Sequence, residues 1–273
     1  MVSALSPFHP LVRRWFAQRF AAPTDAQERA WPAISRGEHV LVSAPTGSGK
    51  TLTAFLWTID SLLTGRWEGG GVRALYLSPL KALNRDVQIN LLGPLEELRA
   101  LFESEGVAFP TIRALTRSGD TPDDQRRAML RHPPEILITT PESLNLMLTG
   151  NQSRQLFGAV KTVILDEIHA LAASKRGTYM MTAVERLVLG AGEFQRIALS
   201  ATVRPPARIA GWMAGYRCVN PGPDARYQAR PVTVIESRDE RPIALALRSP
   251  ELDAGKGPDA AERRWQALAD ELK

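Results

Sequence analysis

Residues 43–51, Ser-Ala-Pro-Thr-Gly-Ser-Gly-Lys-Thr, have the composition of a loop that binds phosphate groups. A short apolar run at 39–42 precedes this loop and an apolar stretch at 50–63 follows it. Glycines between a strand and a helix allow backbone N–H groups to turn toward an anion at the helix N-terminus. The usual pattern opens with glycine, whereas this loop has Ala44. We predict a nucleoside triphosphate site formed by Thr46, Gly47, Ser48, Gly49, Lys50 and Thr51.

Two adjacent carboxylates, Asp166 and Glu167, follow another apolar run at 163–165. Ligands of open α/β sheets bind beyond the carboxyl ends of the strands, so these acids belong at the same edge as the loop. A buried acid pair is costly unless a cation accompanies it. We therefore expect Asp166 and Thr51 to hold Mg²⁺, and Lys50 to neutralise the terminal phosphates. Glu167 is then the residue that orients and deprotonates the attacking water. The alternative is that the two acids only cap a helix.

Two further patterns are weak by themselves. Residues 200–202, Ser-Ala-Thr, place the hydroxyls of Ser200 and Thr202 after an apolar run at 197–199, but such a pair most often caps a helix. Gln27 lies upstream of the loop, and its amide offers both a donor and an acceptor to the edge of an adenine ring.

The composition sets the class of protein. The 273 residues are 44% hydrophobic and 23% charged, which is enough to build a large core. A net charge of +5 is compatible with a surface for a polyanion, and equally with an ordinary basic protein. The single cysteine, Cys218, excludes an internal disulfide framework and favours a reducing compartment. No apolar run approaches the ~18 residues of a membrane helix, so we expect a soluble, cytoplasmic protein with no membrane partner.

Short apolar runs alternate with helical stretches, which predicts an α/β fold with a parallel sheet covered by helices on both faces. The runs lie at 39–42, 74–77, 111–115, 136–138, 163–165 and 197–199. Thr121 and Pro122 have the residue types that start a helix. After Arg217 the texture changes, because 220–224 is rich in turn residues. We expect a second unit to begin there, with strands at 232–235 and 243–247 and a helix near 260–272.

The order of these patterns resembles the superfamily 2 DExH-box helicases. Gln27 resembles the Q motif, and the segments 44–51, 166–169 and 200–202 resemble motifs I, II and III. The intervening segments are similar to the large helicase-related (Lhr) family; they lie at 78–86, 117–122, 139–144, 174–177 and 201–206. The resemblance covers about four-fifths of the chain and implies a RecA-like domain of the phosphate-loop NTPase class at residues 1–217. Residues 218–273 would then form a linker and the truncated start of a second RecA-like domain.

The resemblance also implies a nucleic-acid surface. In such helicases, the segments similar to motifs Ia, Ib and Ic bind the sugar–phosphate backbone of one strand, which needs no base recognition. A solvated helix start remains the alternative for Lys81 and Arg85. His169, with Ser200 and Thr202, is implied to couple the two sites, and a structural histidine is the alternative. The matching strand-contacting residues are Ser78, Pro79, Leu80, Lys81, Arg85, Gly119, Asp120, Thr121, Thr140, Pro141 and Glu142.

The implied activity is an ATP-dependent motor that moves 3′ to 5′ on single-stranded or duplex DNA, and also on RNA–DNA hybrids. No segment resembles motifs IV to VI of a second RecA-like domain, whose arginines are worth ~10³–10⁵ in rate. We therefore expect a fragment, a truncated product or a split subunit that hydrolyses ATP weakly unless that domain is supplied in cis or in trans. The alternatives are a phosphate-loop NTPase or small-molecule kinase with no nucleic-acid role, and a catalytically silent module that binds ATP or nucleic acid.

Overall fold

The computed structural model describes residues 3–79 and 87–237 of the chain. They belong to one compact unit, Met1–Asp239. A second unit, Glu240–Lys273, lies outside the described residues, together with the strand expected at 243–247 and the helix expected near 260–272.

A seven-stranded parallel sheet forms the centre of this unit, in the order β3-β4-β2-β5-β6-β1-β9. Every residue of β2, β4 and β5 is buried, because helices cover both faces of these nearly continuous apolar strands. A separate antiparallel hairpin consists of β7 and β8. The strands are β1 (His39–Ser43), β2 (Ala74–Leu77), β3 (Ala114–Arg117), β4 (Ile136–Thr139), β5 (Thr162–Leu165), β6 (Gln195–Ser200), β7 (Tyr216–Asn220), β8 (Arg226–Ala229) and β9 (Val232–Glu236).

Helices build two cores, one on each face of the sheet. The first four pack on one face around Trp31 and Phe55, and five later ones pack on the other face around Leu165 and Met180. A π-helical turn, Gln88–Leu92, leads into α4. The helices are α1 (Pro10–Arg19), α2 (Asp25–Ser35), α3 (Lys50–Leu63), α4 (Gly93–Ser104), α5 (Asp123–Arg131), α6 (Pro141–Thr149), α7 (Asn151–Gln155), α8 (Ile168–Leu171), α9 (Lys175–Ala191) and α10 (Pro206–Ala214).

Aromatic residues near the N-terminus fix α1 to α2. The Phe16 and Trp31 rings meet edge to face with centroids 5.4 Å apart, and the Phe8 and Trp31 rings do so with centroids 5.0 Å apart. Trp15, Phe16 and Trp31 are buried. These rings therefore pack in the core.

Two local expectations differ from the structure. Strand β3 begins at Ala114 and not at 111, because the backbone N–H of Arg113 donates to the Glu135 carboxylate at 2.8 Å before the strand pairing starts. Thr121 does not cap α5. Its hydroxyl accepts from the Ser118 N–H at 2.9 Å, and Pro122 occupies the capping position.

The compact unit extends past Arg217, where we expected the first domain to end. The turn-rich residues 220–224 connect the two strands of the hairpin, and β9 then pairs with β1 at the edge of the main sheet. Arg230, which precedes β9, is 5% exposed and donates hydrogen bonds to the carboxylates of Glu185 and Glu193. A composition change therefore marks a hairpin turn here, and a buried ionic cluster attaches the chain that follows. No helix in the described part of the chain is both long and apolar enough to cross a membrane.

Candidate nucleotide site and strand-contacting edge

The carboxyl ends of β5, β6 and β1 are neighbours in the sheet. The phosphate loop follows β1, the acid pair follows β5 and residues 200–202 end β6. Because the strands are parallel, all three segments lie at one edge of the sheet. The strand order therefore brings together side chains that are more than 100 residues apart in the sequence.

Two glycines shape the phosphate loop. Gly47 and Gly49 have φ angles of 74° and 77°, in the left-handed region that glycine adopts without steric cost. Gly49 is the N-cap of α3, and no side chain caps that helix. A Cβ at Gly49 would lie 2.7 Å from the amide nitrogen of Gln27. The first N–H groups of α3 therefore face the loop, as an anion site requires.

Lys50 is a buried cation in the loop. Its ammonium donates to the carbonyl oxygens of Ala44 at 2.6 Å and Pro45 at 2.7 Å. Burial lowers the pKa of Lys50, while the nearby carboxylates of Glu167 and Asp166 act in the opposite direction. This arrangement offers a buried positive charge to a phosphate group and two carboxylates to a metal ion.

Asp166 and Glu167 occupy the sharp turn after β5. Asp166 is 6% exposed, and one of its carboxylate oxygens, Oδ1, accepts the Glu167 N–H at 2.9 Å. The Tyr76 hydroxyl donates to the other, Oδ2. Burial is the main cause that raises the pKa of Asp166. Glu167 has a φ of 50°, a strained value for a residue with a side chain, and it makes no side-chain cap of α8. The alternative that the acids only cap a helix is therefore wrong.

His169 connects the acid pair to the end of β6. Its Nδ1 accepts the backbone N–H of Ala201 at 3.2 Å. A Glu167 carboxylate oxygen lies 3.3 Å from the same nitrogen. The two contacts cannot be hydrogen bonds at the same time, because Nδ1 would have to accept from Ala201 and donate to Glu167. The Ala201 N–H requires Nδ1 to be the acceptor. His169 thus touches the two segments between which a coupling contact was expected.

The segment 200–202 also contacts the strand that leads into the phosphate loop. The Ser43 hydroxyl donates to the Ala201 carbonyl and accepts the Val203 N–H, both at 3.4 Å. Ser200 is fully buried and Thr202 is exposed. The next helix, α10, has Pro205 at its N-cap, so the alternative that Ser200 and Thr202 cap a helix is wrong.

Gln27 joins α2 to the phosphate loop. Its carbonyl oxygen accepts the Thr24 N–H at 3.0 Å, and its amide nitrogen donates to the Gly49 carbonyl at 3.4 Å. The Thr24 hydroxyl donates to the Ser48 carbonyl at 2.8 Å. One amide hydrogen and one carbonyl lone pair of Gln27 remain for the adenine contact that we expected.

A second group of polar residues follows β2, β4 and β3, which are also neighbours. Ser78 donates its N–H to the Thr139 carbonyl at 3.2 Å, and the Thr139 hydroxyl donates to the Arg117 carbonyl at 2.6 Å. Thr140 caps α6 by accepting the Ser143 N–H. Of the predicted strand-contacting residues, the structure places Ser78, Pro79, Gly119, Asp120, Thr121, Thr140, Pro141 and Glu142 at this edge, whereas Leu80, Lys81 and Arg85 lie outside the described residues.

Glu142 is paired with a cation at this edge. Two side-chain nitrogens of Arg176 donate to its two carboxylate oxygens at 2.5 and 3.1 Å. The bond from Arg176 lowers the pKa of Glu142. Gly177, the next residue, lies so close to the Leu171 carbonyl that a Cβ there would be only 2.0 Å away, which explains the glycine after Arg176. Through Arg176, the segment 174–177 therefore contacts the strand-contacting edge, which is the edge of the sheet that carries the residues predicted to contact a nucleic-acid strand.

A family model described as DEAD/DEAH box helicase matches residues 24–209, which is more than half of the chain. This chain belongs to the DEAD/DEAH box helicase family. The matched region contains the phosphate loop, the acid pair and the segment 200–202.

Three relatives of this helicase-family chain are much longer proteins. It is 53% identical to a Lhr helicase/probable uracil glycosylase from Mycolicibacterium smegmatis over 77% of the chain and 14% of the relative. It is 44% identical to the Lhr helicase/uracil glycosylase of Escherichia coli, over 87% of the chain and 16% of the relative. It is 46% identical to an ATP-dependent helicase Lhr-Core from Methanothermobacter thermautotrophicus, over 77% of the chain and 25% of the relative.

Solved structures agree with the RecA-like helicase fold. The helicase Lhr of Mycobacterium smegmatis bound to single-stranded DNA and AMP-PNP superimposes with a TM-score of 0.81 at 43% identity, over 99% of this chain and 33% of that one. The DEAD-box helicase Mss116 has a TM-score of 0.69 at 18% identity, over 88% of this chain and 46% of that one. At that identity the second match supports the fold alone.

Two residues of this DEAD/DEAH box helicase domain were missed in the sequence. Tyr76 lies in an apolar strand, where the sequence indicates only that its ring packs in the core. The contact of its hydroxyl with Asp166 shows that it also has a polar role. Ser43 precedes the phosphate loop and reads as its first residue, although its hydroxyl contacts the segment after β6. The one available signal was a polar atom in an otherwise apolar run.

Proposed function

We propose that this domain is the ATP-binding half of an ATP-dependent nucleic-acid motor. The observation that carries the proposal is the convergence of Lys50, Asp166 and Glu167 at one sheet edge, with His169 connecting them to the end of β6. A second group of polar strand ends lies at the same edge of the sheet. The names of the relatives, which are ATP-dependent helicases, support the same activity.

The donor set fits Mg²⁺ and a nucleoside triphosphate. Mg²⁺ is usually bound by one or two carboxylates together with substrate phosphates, and no three His, Cys, Asp or Glu side chains converge within residues 3–79 and 87–237. The Ser48 hydroxyl is buried and has no hydrogen-bond partner in that same part of the chain, as suits a loop that receives phosphate oxygens. Asp166 and Thr51 would hold the ion, which supplies positive charge to the phosphates.

The proposed reaction is hydrolysis of the terminal phosphoanhydride bond. Glu167 orients a water molecule and accepts its proton while the water oxygen attacks the γ-phosphorus. The bond from the γ-phosphorus to the bridging oxygen breaks, which yields ADP and inorganic phosphate. Lys50 and the N–H groups at the start of α3 stabilise the negative charge on the phosphates.

We propose that the strand ends of β2, β3 and β4 bind the backbone of a nucleic-acid strand. The hydroxyls of Ser78, Thr121 and Thr140 and the cations of Lys81 and Arg85 would contact phosphates without reading the sequence. The finer proposal is 3′-to-5′ movement on DNA, including RNA–DNA hybrids. Its support is the resemblance to Lhr helicases and a Lhr structure described as bound to single-stranded DNA.

The proposed motor needs a second RecA-like domain, in cis or in trans. That domain would supply the arginines that neutralise the transition state, a contribution of ~10³–10⁵ in rate. We propose that residues 218–273 include the connection to it, although the part up to residue 237 continues the first sheet. We propose that the motor acts in the cytoplasm, and the single cysteine, which suits a reducing compartment, supports this.

The deciding experiment measures ATP hydrolysis by residues 1–273 and by a longer polypeptide that includes the second domain, each with and without single-stranded DNA. We expect weak hydrolysis by the first and DNA-stimulated hydrolysis by the second. If both polypeptides hydrolyse ATP and DNA does not raise the rate of either, a phosphate-loop NTPase would be favoured. If neither polypeptide hydrolyses ATP but binding of ATP or DNA is retained, a catalytically silent module would be favoured.

A further inference from the structure

Tyr76 has a hydroxyl that the packing of its strand does not require. The strand β2 reads Ala-Leu-Tyr-Leu, and Tyr76 is fully buried. Its ring stacks on Phe55 of α3, with centroids 4.9 Å apart and an interplanar angle of 26°. A phenylalanine would fill the same volume and make the same stack, so the hydroxyl has another purpose.

The sheet register directs this hydroxyl to the acid pair. Strands β2 and β5 are neighbours, and Tyr76 pairs with Ile164. Side chains of a strand alternate between the two faces, so Asp166 projects on the same face as Ile164, one step beyond the end of β5. A long side chain that leans along its strand reaches that distance, and the Tyr76 hydroxyl donates to Asp166 Oδ2.

The two donors to Asp166 define the plane of its carboxylate. The torsion that rotates a carboxylate is broad, so one hydrogen bond leaves it loosely set. Here the Glu167 N–H holds Oδ1 at 2.9 Å, and the Tyr76 hydroxyl holds Oδ2 from the neighbouring strand. Because the Tyr76 ring packs on α3, the helix that begins at the phosphate loop also sets the position of the carboxylate.

We propose that Tyr76 is a positioning residue that orients Asp166 toward Mg²⁺ and so links the metal site to the helix of the phosphate loop. The inference rests on the proposed ATP site. Partners that orient metal ligands commonly matter by ~10–100-fold in metal affinity or activity. Tyr76 itself touches neither the ion nor the nucleotide in this role.

The test is binding of a fluorescent ATP analogue to the 273-residue chain, first in EDTA and then during titration with Mg²⁺. For Tyr76→Phe we expect affinity in EDTA equal to that of the wild type, and a Mg²⁺ concentration at the midpoint that is raised by about tenfold. Thr162→Val is the matched control, because it removes a buried hydroxyl from the far end of β5 that has no partner among the described residues. We expect its midpoint to equal that of the wild type.

Each outcome decides a different point. If the wild type fails to bind the analogue, or binds it without any effect of Mg²⁺, the proposed ATP site is wrong. If the wild type responds to Mg²⁺ and the Tyr76→Phe midpoint shifts by less than about threefold, only the role of Tyr76 is overturned. Should Tyr76→Phe fail to fold, Phe55→Leu keeps the hydroxyl and removes the stack. We expect that variant to raise the midpoint by about threefold, and an unchanged midpoint would overturn the proposal.

Discussion

His169 Nδ1 accepts the backbone N–H of Ala201 across a distance of 3.2 Å, which joins the segment after β5 to the segment after β6. The Glu167 carboxylate lies beside the same ring. The acid pair is therefore connected through one side chain to Ala201 after β6, and the Ala201 carbonyl in turn accepts a hydrogen bond from Ser43 of β1.

The first prediction concerns this connection. In a polypeptide with both RecA-like domains, His169→Ala should retain ATP binding. The factor by which single-stranded DNA stimulates hydrolysis should fall by about fivefold or more. The measurement is the ATPase rate with and without DNA. His132→Ala, at an exposed position after α5, is the control and should behave as the wild type. Normal stimulation in His169→Ala would leave this histidine with a structural role only.

The second prediction concerns the proposed base. Glu167→Gln keeps the size of the side chain and removes its ability to accept a proton, so hydrolysis should fall by about 100-fold or more. Binding of the ATP analogue should persist, since Lys50 and the loop are intact. Glu103→Gln, on the exposed side of α4, is the control. Hydrolysis at the wild-type rate by Glu167→Gln would remove this residue from the chemistry.

The third prediction concerns Lys81 and Arg85. Each phosphate contact that is lost should lower the slope of log affinity against log salt by about 0.7 for a single strand. The measurement is binding of single-stranded DNA by Lys81→Ala and Arg85→Ala at several salt concentrations. Arg131→Ala is the control, because Arg131 is exposed and precedes the amino end of β4, away from the strand-contacting edge. An unchanged slope would place both cations outside the interface.

The fourth prediction concerns stability against pH. Burial, with help from Arg196 and Arg230, lowers the pKa of His39 to about 4 from 6.5, while Glu193 and Glu185 act in the opposite direction. Between these two values the unfolded chain takes up a proton that the folded chain does not bind. The free energy of unfolding should therefore decrease as the pH falls through that window.

Urea unfolding at about pH 7 and at about pH 5 measures this effect. The decrease should be smaller in His39→Gln, which cannot take up the proton. His132→Gln, at an exposed position, is the control and should show the full decrease. An equal decrease in His39→Gln and the wild type would assign the effect to other groups.

Much of the fold could be predicted because the buried strands β2, β4 and β5 are nearly continuous apolar runs. The helix at 50–63 and the strand at 74–77 agree with the prediction, since local composition determines them. The end of the first unit could not be predicted. Residues 220–224 have the composition of a linker, and only the pairing of β9 with β1 shows that the chain returns to the sheet.

The sequence alone predicted the chemical groups of the candidate site, because residue type and distance from the preceding apolar run place Lys50 after the loop that follows β1 and Asp166 directly after β5. The tertiary structure alone decided which side chains meet there. Tyr76 and Asp166 are 90 residues apart, and their contact follows from the adjacency and register of β2 and β5. Glu142 and Arg176 likewise pair only because α6 and α9 pack together. Such contacts depend on strand order and helix packing, which local spacing does not encode.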